Sequence, residues 1–199
     1  PIMRSHGHTT RAPWGFSEDA VRDFQKYYWL RENLMDSIYS SVIESSKTGT
    51  VMAQPMQLAF PNDESVAFVE DEYTFCKDIL VAPVLKEKCL MREVTLPKGN
   101  WIDFWKGDKK TGGSKFRAYI SEGTLPLYLR YSTLMRIKLP SSLKLCENME
   151  NGSYDALLIS PAEDKREVAF NMSENDVEKY ITEFIDGKTV ITNSSNSAI

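Results

Sequence analysis

The sequence predicts an α/β portion followed by an all-β portion, and three observations carry that division. Residues 17–47 repeat apolar side chains at helical spacing, residues 79–84 form an unbroken apolar run, and beyond Lys86 helical periodicity gives way to short alternating segments separated by turns. The change of texture places a boundary at residues 85–90.

Each element follows from its residues. Val21, Phe24, Tyr28, Met35, Ile38 and Val42 line up on one helical face that is expected to be buried. Ser17 can cap the start, Glu18 and Asp19 suit the positive end of the helix dipole, and Gly49 can close the end in a left-handed conformation. Arg31 falls on the same stripe and is expected to pack its stem while its head pairs at the rim. A strand is expected at 51–58, a turn at Pro61-Asn62-Asp63, and a helical turn at 71–77. The run 79–84 does not alternate, as befits a strand buried on both faces in a parallel barrel.

In the second half, strands are expected at 93–96, 125–139, 156–160 and 167–172. Within the longest, Leu127, Leu129, Tyr131, Thr133, Met135 and Ile137 alternate with Tyr128, Arg130, Ser132, Arg136 and Lys138, which reads as one half-buried strand. Strands at 180–185 and 188–192 flank Asp186-Gly187, a strong hairpin signal. These pieces make an antiparallel β-sandwich the expected architecture of this half. The polar tail 193–199, dominated by Asn and Ser, is expected to fray.

Composition narrows the function. A chain of 199 residues with 42% apolar and 26% charged residues can bury a core of one or two domains. A net charge of −4 gives no basic footprint, so nucleic acid is not an expected partner. No run reaches the eighteen or so apolar residues of a membrane span, and no charged-then-apolar order marks a secretory leader. Cys76, Cys89 and Cys146 are odd in number and share no CxxC spacing, so free thiols, a reducing compartment and a cytoplasmic location are expected. With only His6 and His8 to assist them, no zinc site is expected.

Three segments carry a family resemblance. The first is Arg4-Ser5-His6-Gly7, followed by Pro13-Trp14 and the helix bearing Leu30-Arg31 and Tyr39-Ser40. The second runs from Val51-Met52 through Phe60-Pro61-Asn62-Asp63 and Asp71-Glu72-Tyr73 to Leu80-Val81-Ala82-Pro83-Val84. The third is Leu96-Pro97-Lys98-Gly99-Asn100-Trp101-Ile102-Asp103-Phe104-Trp105, with Gly112-Gly113 beyond. In order and spacing they resemble the C-terminal part of glycoside hydrolase family 31, the α-glucosidases and α-xylosidases.

The resemblance implies the end of a catalytic (β/α)8 TIM barrel over residues 1–86, a β-sandwich over 87–192 and a tail over 193–199. It puts the family's substrate-contacting histidine on His6 and the neighbouring arginine on Arg4, at the end of a barrel strand where that fold builds its active site. An imidazole donates from one nitrogen and accepts at the other, which suits a vicinal diol. Three departures stand out: Asp36-Ser37 where the family usually has Pro-Tyr, Cys76 where it usually has Gly, and Arg130-Tyr131-Ser132 with Arg136 where it has Arg-x-Gly, an apolar pair and Pro.

No carboxylate matches the family's two catalytic aspartates, which precede anything aligned with Pro1. Asp19, Asp23, Asp36, Asp63, Asp71, Asp78 and Asp103 are read as caps, turns and solvated positions. Trp101, Phe104 and Trp105 could stack on a pyranose face, but the reading preferred is that they fasten the sandwich. The expected function is therefore the C-terminal fragment of a retaining, exo-acting α-glycosidase, which supplies substrate-binding His6 and Arg4 but no catalytic residue. Its expected partners are a carbohydrate substrate and the upstream part of the same enzyme, with no cofactor. The alternative is a non-catalytic carbohydrate-binding or structural β-sandwich module.

Overall fold

The computed structural model describes residues 7–9, 11–121 and 123–194, which are mostly β with few helices. The elements in chain order are α1 (Glu18–Asn33), α2 (Met35–Thr48), β1 (Ala53–Pro55), α3 (Met56–Ala59), β2 (Tyr73–Phe75), β3 (Ile79–Val81), β4 (Met91–Leu96), β5 (Asn100–Asp103) and β6 (Lys109–Thr111). They continue with β7 (Ser114–Tyr119), β8 (Leu127–Arg130), β9 (Leu134–Leu139), β10 (Tyr154–Ile159), β11 (Arg166–Asn171), β12 (Val177–Ile185) and β13 (Lys188–Asn193). The chain forms two compact units, one of Pro1–Ile38 with Met135–Leu158 and one of Tyr39–Leu134 with Ile159–Ile199.

The first unit contains α1, the opening of α2, and most of the paired strands β9 and β10. Ser17 caps α1 by accepting a hydrogen bond from the Ala20 amide, as its position predicts. The single expected helix is two, broken at Leu34 (φ −88°, ψ 3°). Next to the break, buried Asn33 uses its side chain outside the helix: Nδ2 donates to the Lys138 carbonyl at 2.8 Å and Oδ1 accepts from the Cys146 amide at 2.8 Å. The buried apolar residues of α1, the break and the opening of α2 are Leu30, Leu34 and Ile38, whereas Phe24 and Tyr28 are exposed, so the expected stripe is rotated.

Two departures noted in the sequence meet in this unit. Arg136 lies 3.4 Å from Asp36 and 3.0 Å from Asp155, and the Ser37 hydroxyl donates to the Arg136 carbonyl at 2.7 Å. Asp36, Ser37 and Arg136 therefore form one local polar set.

The second unit is built on a six-stranded sheet in the order β1-β2-β3-β8-β5-β6, accompanied by the pair β4-β7 and the three-stranded sheet β11-β12-β13. β3 is buried along its length, as the unbroken run predicts, but it pairs antiparallel with both β2 and β8. An apolar run reports burial on two faces and is silent on strand direction. The core gathers Met56, Val66, Leu80, Val94, Leu96, Trp101 and Tyr128.

Three segments differ from the expected pattern. Residues 51–58 split into β1 and the one-turn α3, and 71–77 form strand β2 with a turn at Cys76 and Lys77 (φ 49° and 68°). Cys76 thus holds the left-handed conformation that glycine adopts most easily. The stretch 125–139 breaks into β8 and β9 around Ser132 (φ 61°), where the Thr133 and Ser160 hydroxyls both donate to the Arg130 carbonyl at 2.6 Å. The alternation of residue types continues through residues 131–133, so alternation alone could not reveal the break.

The Asp186-Gly187 hairpin forms as expected, with both residues at positive φ (49° and 79°) and Ile185 opposite Lys188. Cys76, Cys89 and Cys146 form no disulfide. Among the described residues, no helix is long and apolar enough to cross a membrane.

Candidate functional site

His6 and Arg4, the residues singled out for sugar binding, lie outside the described residues. The nearby Pro13–Gly15 turn is described, and its Trp14 is exposed.

The aromatic segment divides by role. Trp101 is fully buried, its Nε1 donates to the Pro97 carbonyl at 2.9 Å, and its ring meets Phe60 edge-on at 6.2 Å. It offers no face to a ligand. Phe104 and Trp105 are half-buried and edge-on to each other at 4.9 Å, with Trp105 Nε1 donating to the Leu125 carbonyl at 2.7 Å. Asp103 is occupied by its turn, since Oδ1 accepts from the Trp105 and Lys106 amides at 3.0 Å each.

The other aspartates have similar explanations. Asp63 accepts from the Lys98 amide at 2.6 Å and from Ser65. Burial opposes its charge, but those hydrogen bonds and the nearby Lys98 hold its carboxyl below the usual range. Asp78 pairs with Arg166, and Asp36 with Arg136 and Lys138.

One cluster escaped the sequence reading. Arg92 on β4 donates from Nη1 to Asp71 Oδ2 at 2.8 Å and from Nη2 to the Asp71 carbonyl at 2.6 Å. Its Nη2 also lies 3.7 Å from Glu72 Oε1, which accepts from the Thr95 amide at 2.9 Å. The Glu72 side chain is 2% exposed. Its Oε2 and the Nε of Arg92 are buried without a hydrogen-bond partner.

Desolvation pushes the Glu72 carboxyl up to about 7, against the lowering effects of the Thr95 amide and Arg92. A cavity of about 330 Å³ adjoins the cluster, lined among others by Phe68, Glu70, Asp71, Glu72, Glu93 and Lys115. The run Glu70-Asp71-Glu72 reads as a solvated acidic face, which hid the buried member. A signal was present in β4, whose burial alternates so that Arg92 shares the inward side with Val94 and Leu96. Among the described residues, no group of three His, Cys, Asp or Glu could hold a metal ion.

Comparison with known proteins bears on this unit directly. Residues 49–135 match the glycosyl hydrolase family 31 C-terminal domain. The chain is 29% identical over 140 residues to alpha-glucosidase 2 of Bacillus thermoamyloliquefaciens, covering 69% of this chain and 18% of that one. It is 32% identical over 137 residues to an alpha-xylosidase of Saccharolobus solfataricus, covering 68% of this chain and 19% of the relative. Its fold superposes on a cycloalternan-forming enzyme of Listeria monocytogenes, solved with a pentasaccharide substrate. That match has a TM-score of 0.82 at 26% identity and covers 88% of this chain and 18% of the other. The chain therefore spans less than a fifth of the length of each.

Proposed function

We propose, for a chain that carries the C-terminal domain of glycosyl hydrolase family 31 over residues 49–135, that it is the closing portion of a retaining, exo-acting α-glycosidase. In this reading residues 1–86 complete a catalytic (β/α)8 barrel, residues 87–192 form the β-sandwich that supports it, and 193–199 are a tail. The family match carries the reading, supported by the likeness to an α-glucosidase and an α-xylosidase.

The division of labour follows from the residues. A retaining hydrolase needs one carboxylate to attack the anomeric carbon and a second group, about 5–5.5 Å away, to protonate the leaving oxygen. Both aspartates come from upstream of this chain. His6 and Arg4 line the sugar pocket, with His6 donating to one hydroxyl of the terminal α-linked sugar and accepting from its neighbour. Neither step needs a cofactor.

The test is made in the whole enzyme. His6→Ala is expected to lower kcat/KM on aryl α-glucosides and α-xylosides by about 30- to 1000-fold, or roughly 2–4 kcal/mol of transition-state binding. An unchanged kcat/KM would overturn the assignment. Product analysis on oligosaccharides separates hydrolysis from glycosyl transfer.

A further inference from the structure

Two carboxylates share one guanidinium where the segment leading into β2 meets β4. Asp71 holds Arg92, accepting from Nη1 through Oδ2 at 2.8 Å and from Nη2 through its carbonyl at 2.6 Å. Glu72 Oε1 lies 3.7 Å from the same Nη2, too far for a hydrogen bond. The two acids differ in what can replace the arginine. The Asp71 side chain is 49% exposed and water can solvate it, whereas the Glu72 side chain is buried and accepts from the Thr95 amide. Two polar atoms of the group are left over, Glu72 Oε2 and Arg92 Nε, each buried without a hydrogen-bond partner. An acceptor and a donor orphaned in one cluster cost free energy that another pairing would recover.

Protonation decides between the pairings. A neutral carboxyl needs no counter-charge, so with Glu72 protonated Arg92 belongs to Asp71. An ionised Glu72 without a cation is an uncompensated buried charge, far more costly than a half-exposed aspartate left to water. We propose that Asp71 and Glu72 compete for Arg92, and that ionisation of Glu72 turns the guanidinium inward and releases Asp71, which makes residues 70–71 a pH-sensitive latch on β4.

The surroundings confine the latch and set its range. Upstream, Gln57 on α3 donates to the carbonyls of Val66, Ala67 and Val69 at 3.4, 3.3 and 2.7 Å, so residues 66–69 stay held when Asp71 lets go. Downstream, Tyr73 is paired with Val81 in the sheet. Burial and Asp71 favour the protonated Glu72, whereas the Thr95 amide, Arg92 and Lys115 of β7 favour the carboxylate, and the balance falls at about 7. Lys115 is already paired with Glu93 at 3.1 Å, and Glu70 and Glu93 face the adjoining cavity and oppose ionisation. Tyr128 of β8 keeps its proton throughout, since burial, Asp103 and Glu72 push its hydroxyl up. The latch therefore holds below about pH 7 and opens above it.

The experiment follows the 199-residue chain by NMR between about pH 5 and 8. The Glu72 carboxyl carbon reports ionisation, the Arg92 Nε–H resonance reports its pairing, and backbone amide relaxation reports order at residues 66–71. As Glu72 ionises, the Arg92 resonance should move with the same midpoint and order should fall at Glu70 and Asp71, while residues 66–69 stay unchanged. Glu72→Gln should hold residues 70–71 ordered across the range. Asp71→Asn alters a half-exposed position, so it tests the latch even if Glu72→Gln fails to fold. With its competitor gone, Glu72 should titrate roughly one pH unit or more lower, and residues 70–71 should already be loose in acid. An Arg92 resonance that ignores the Glu72 titration, order at 70–71 that does not vary with pH, the same pH response in Glu72→Gln, or an unmoved Glu72 midpoint in Asp71→Asn would each overturn the proposal.

Discussion

Asp78 and Arg166, 88 residues apart in sequence, meet in two parallel hydrogen bonds, Nη1 to Oδ1 at 3.0 Å and Nη2 to Oδ2 at 2.8 Å. Asp78 sits in the β2–β3 turn and Arg166 opens β11, so the pair ties two sheets of the second unit together. Arg166 also donates to the Ser132 carbonyl at 3.3 Å, at the break between β8 and β9.

Removing Arg166 should therefore be destabilising. The Asp78 side chain is 7% exposed and would be left as an uncompensated charge, while Arg166 is itself 31% exposed. That partial exposure reduces the cost from the full buried-pair range to about 2–3 kcal/mol for Arg166→Ala. Urea unfolding of the chain and its variant measures the difference, and a change below about 0.5 kcal/mol would show the pair to be ornamental.

Gly112 is needed for a close approach. A Cβ there would fall on the Pro97 carbonyl oxygen, well inside contact distance, and 3.1 Å from Trp101 Nε1. That oxygen is the acceptor for the Trp101 indole. Gly112→Ala is expected to cost about 2–4 kcal/mol by displacing backbone and breaking this bond, and Trp101→Ala about 3–5 kcal/mol by emptying the core. Trp105→Ala should cost less, since Trp105 is only half-buried. Thermal melts that rank Trp105 above Trp101 would contradict the packing.

Legibility in the sequence depended on whether a pattern had one physical cause. The β12–β13 hairpin was readable because Asp186-Gly187 supplies two residues able to take positive φ between alternating strands. The Leu34 break was not, since no Pro or Gly marks it and its neighbour Asn33 is satisfied by Lys138 and Cys146, more than a hundred residues away. The region 71–77 misled because an acidic run precedes the short aromatic strand Tyr73–Phe75. The Glu72 cluster was half-legible, through the inward parity of Arg92 on β4. Its partners come from sequence-distant positions that no local pattern reports.

Glu72 should also shape the pH dependence of stability. Its carboxyl keeps a proton up to about pH 7 in the native state, against 4.5 for an ordinary glutamate. Between those values the native state binds more protons than the unfolded chain, so stability falls as pH rises and the penalty is complete above about 7. The loss attributable to this group is on the order of 3 kcal/mol. Glu72→Gln keeps an acceptor for the Thr95 amide but has no proton to lose, so its urea midpoint should vary less between pH 5 and 8. Parallel profiles for the two proteins would assign the effect elsewhere.

The chain of 199 residues is expected to release no nitrophenol from aryl α-glucosides or α-xylosides. Retaining hydrolysis requires two carboxyl groups free to act on opposite sides of one bond. Asp103 accepts two backbone amides, Asp63 accepts from Lys98 and Ser65, and Asp36 and Asp78 are paired with arginines. Glu72 has the raised carboxyl of a general acid and lines a cavity, so it is the strongest rival to this expectation. Its adjacent carboxylate, however, belongs to Asp71, which Arg92 grips through both side chain and carbonyl, and a carboxylate so neutralised is a poor nucleophile. Turnover above the buffer blank that vanished in Glu72→Gln would place chemistry in that cavity. Its absence would leave Glu72 a buried structural acid rather than a catalytic one.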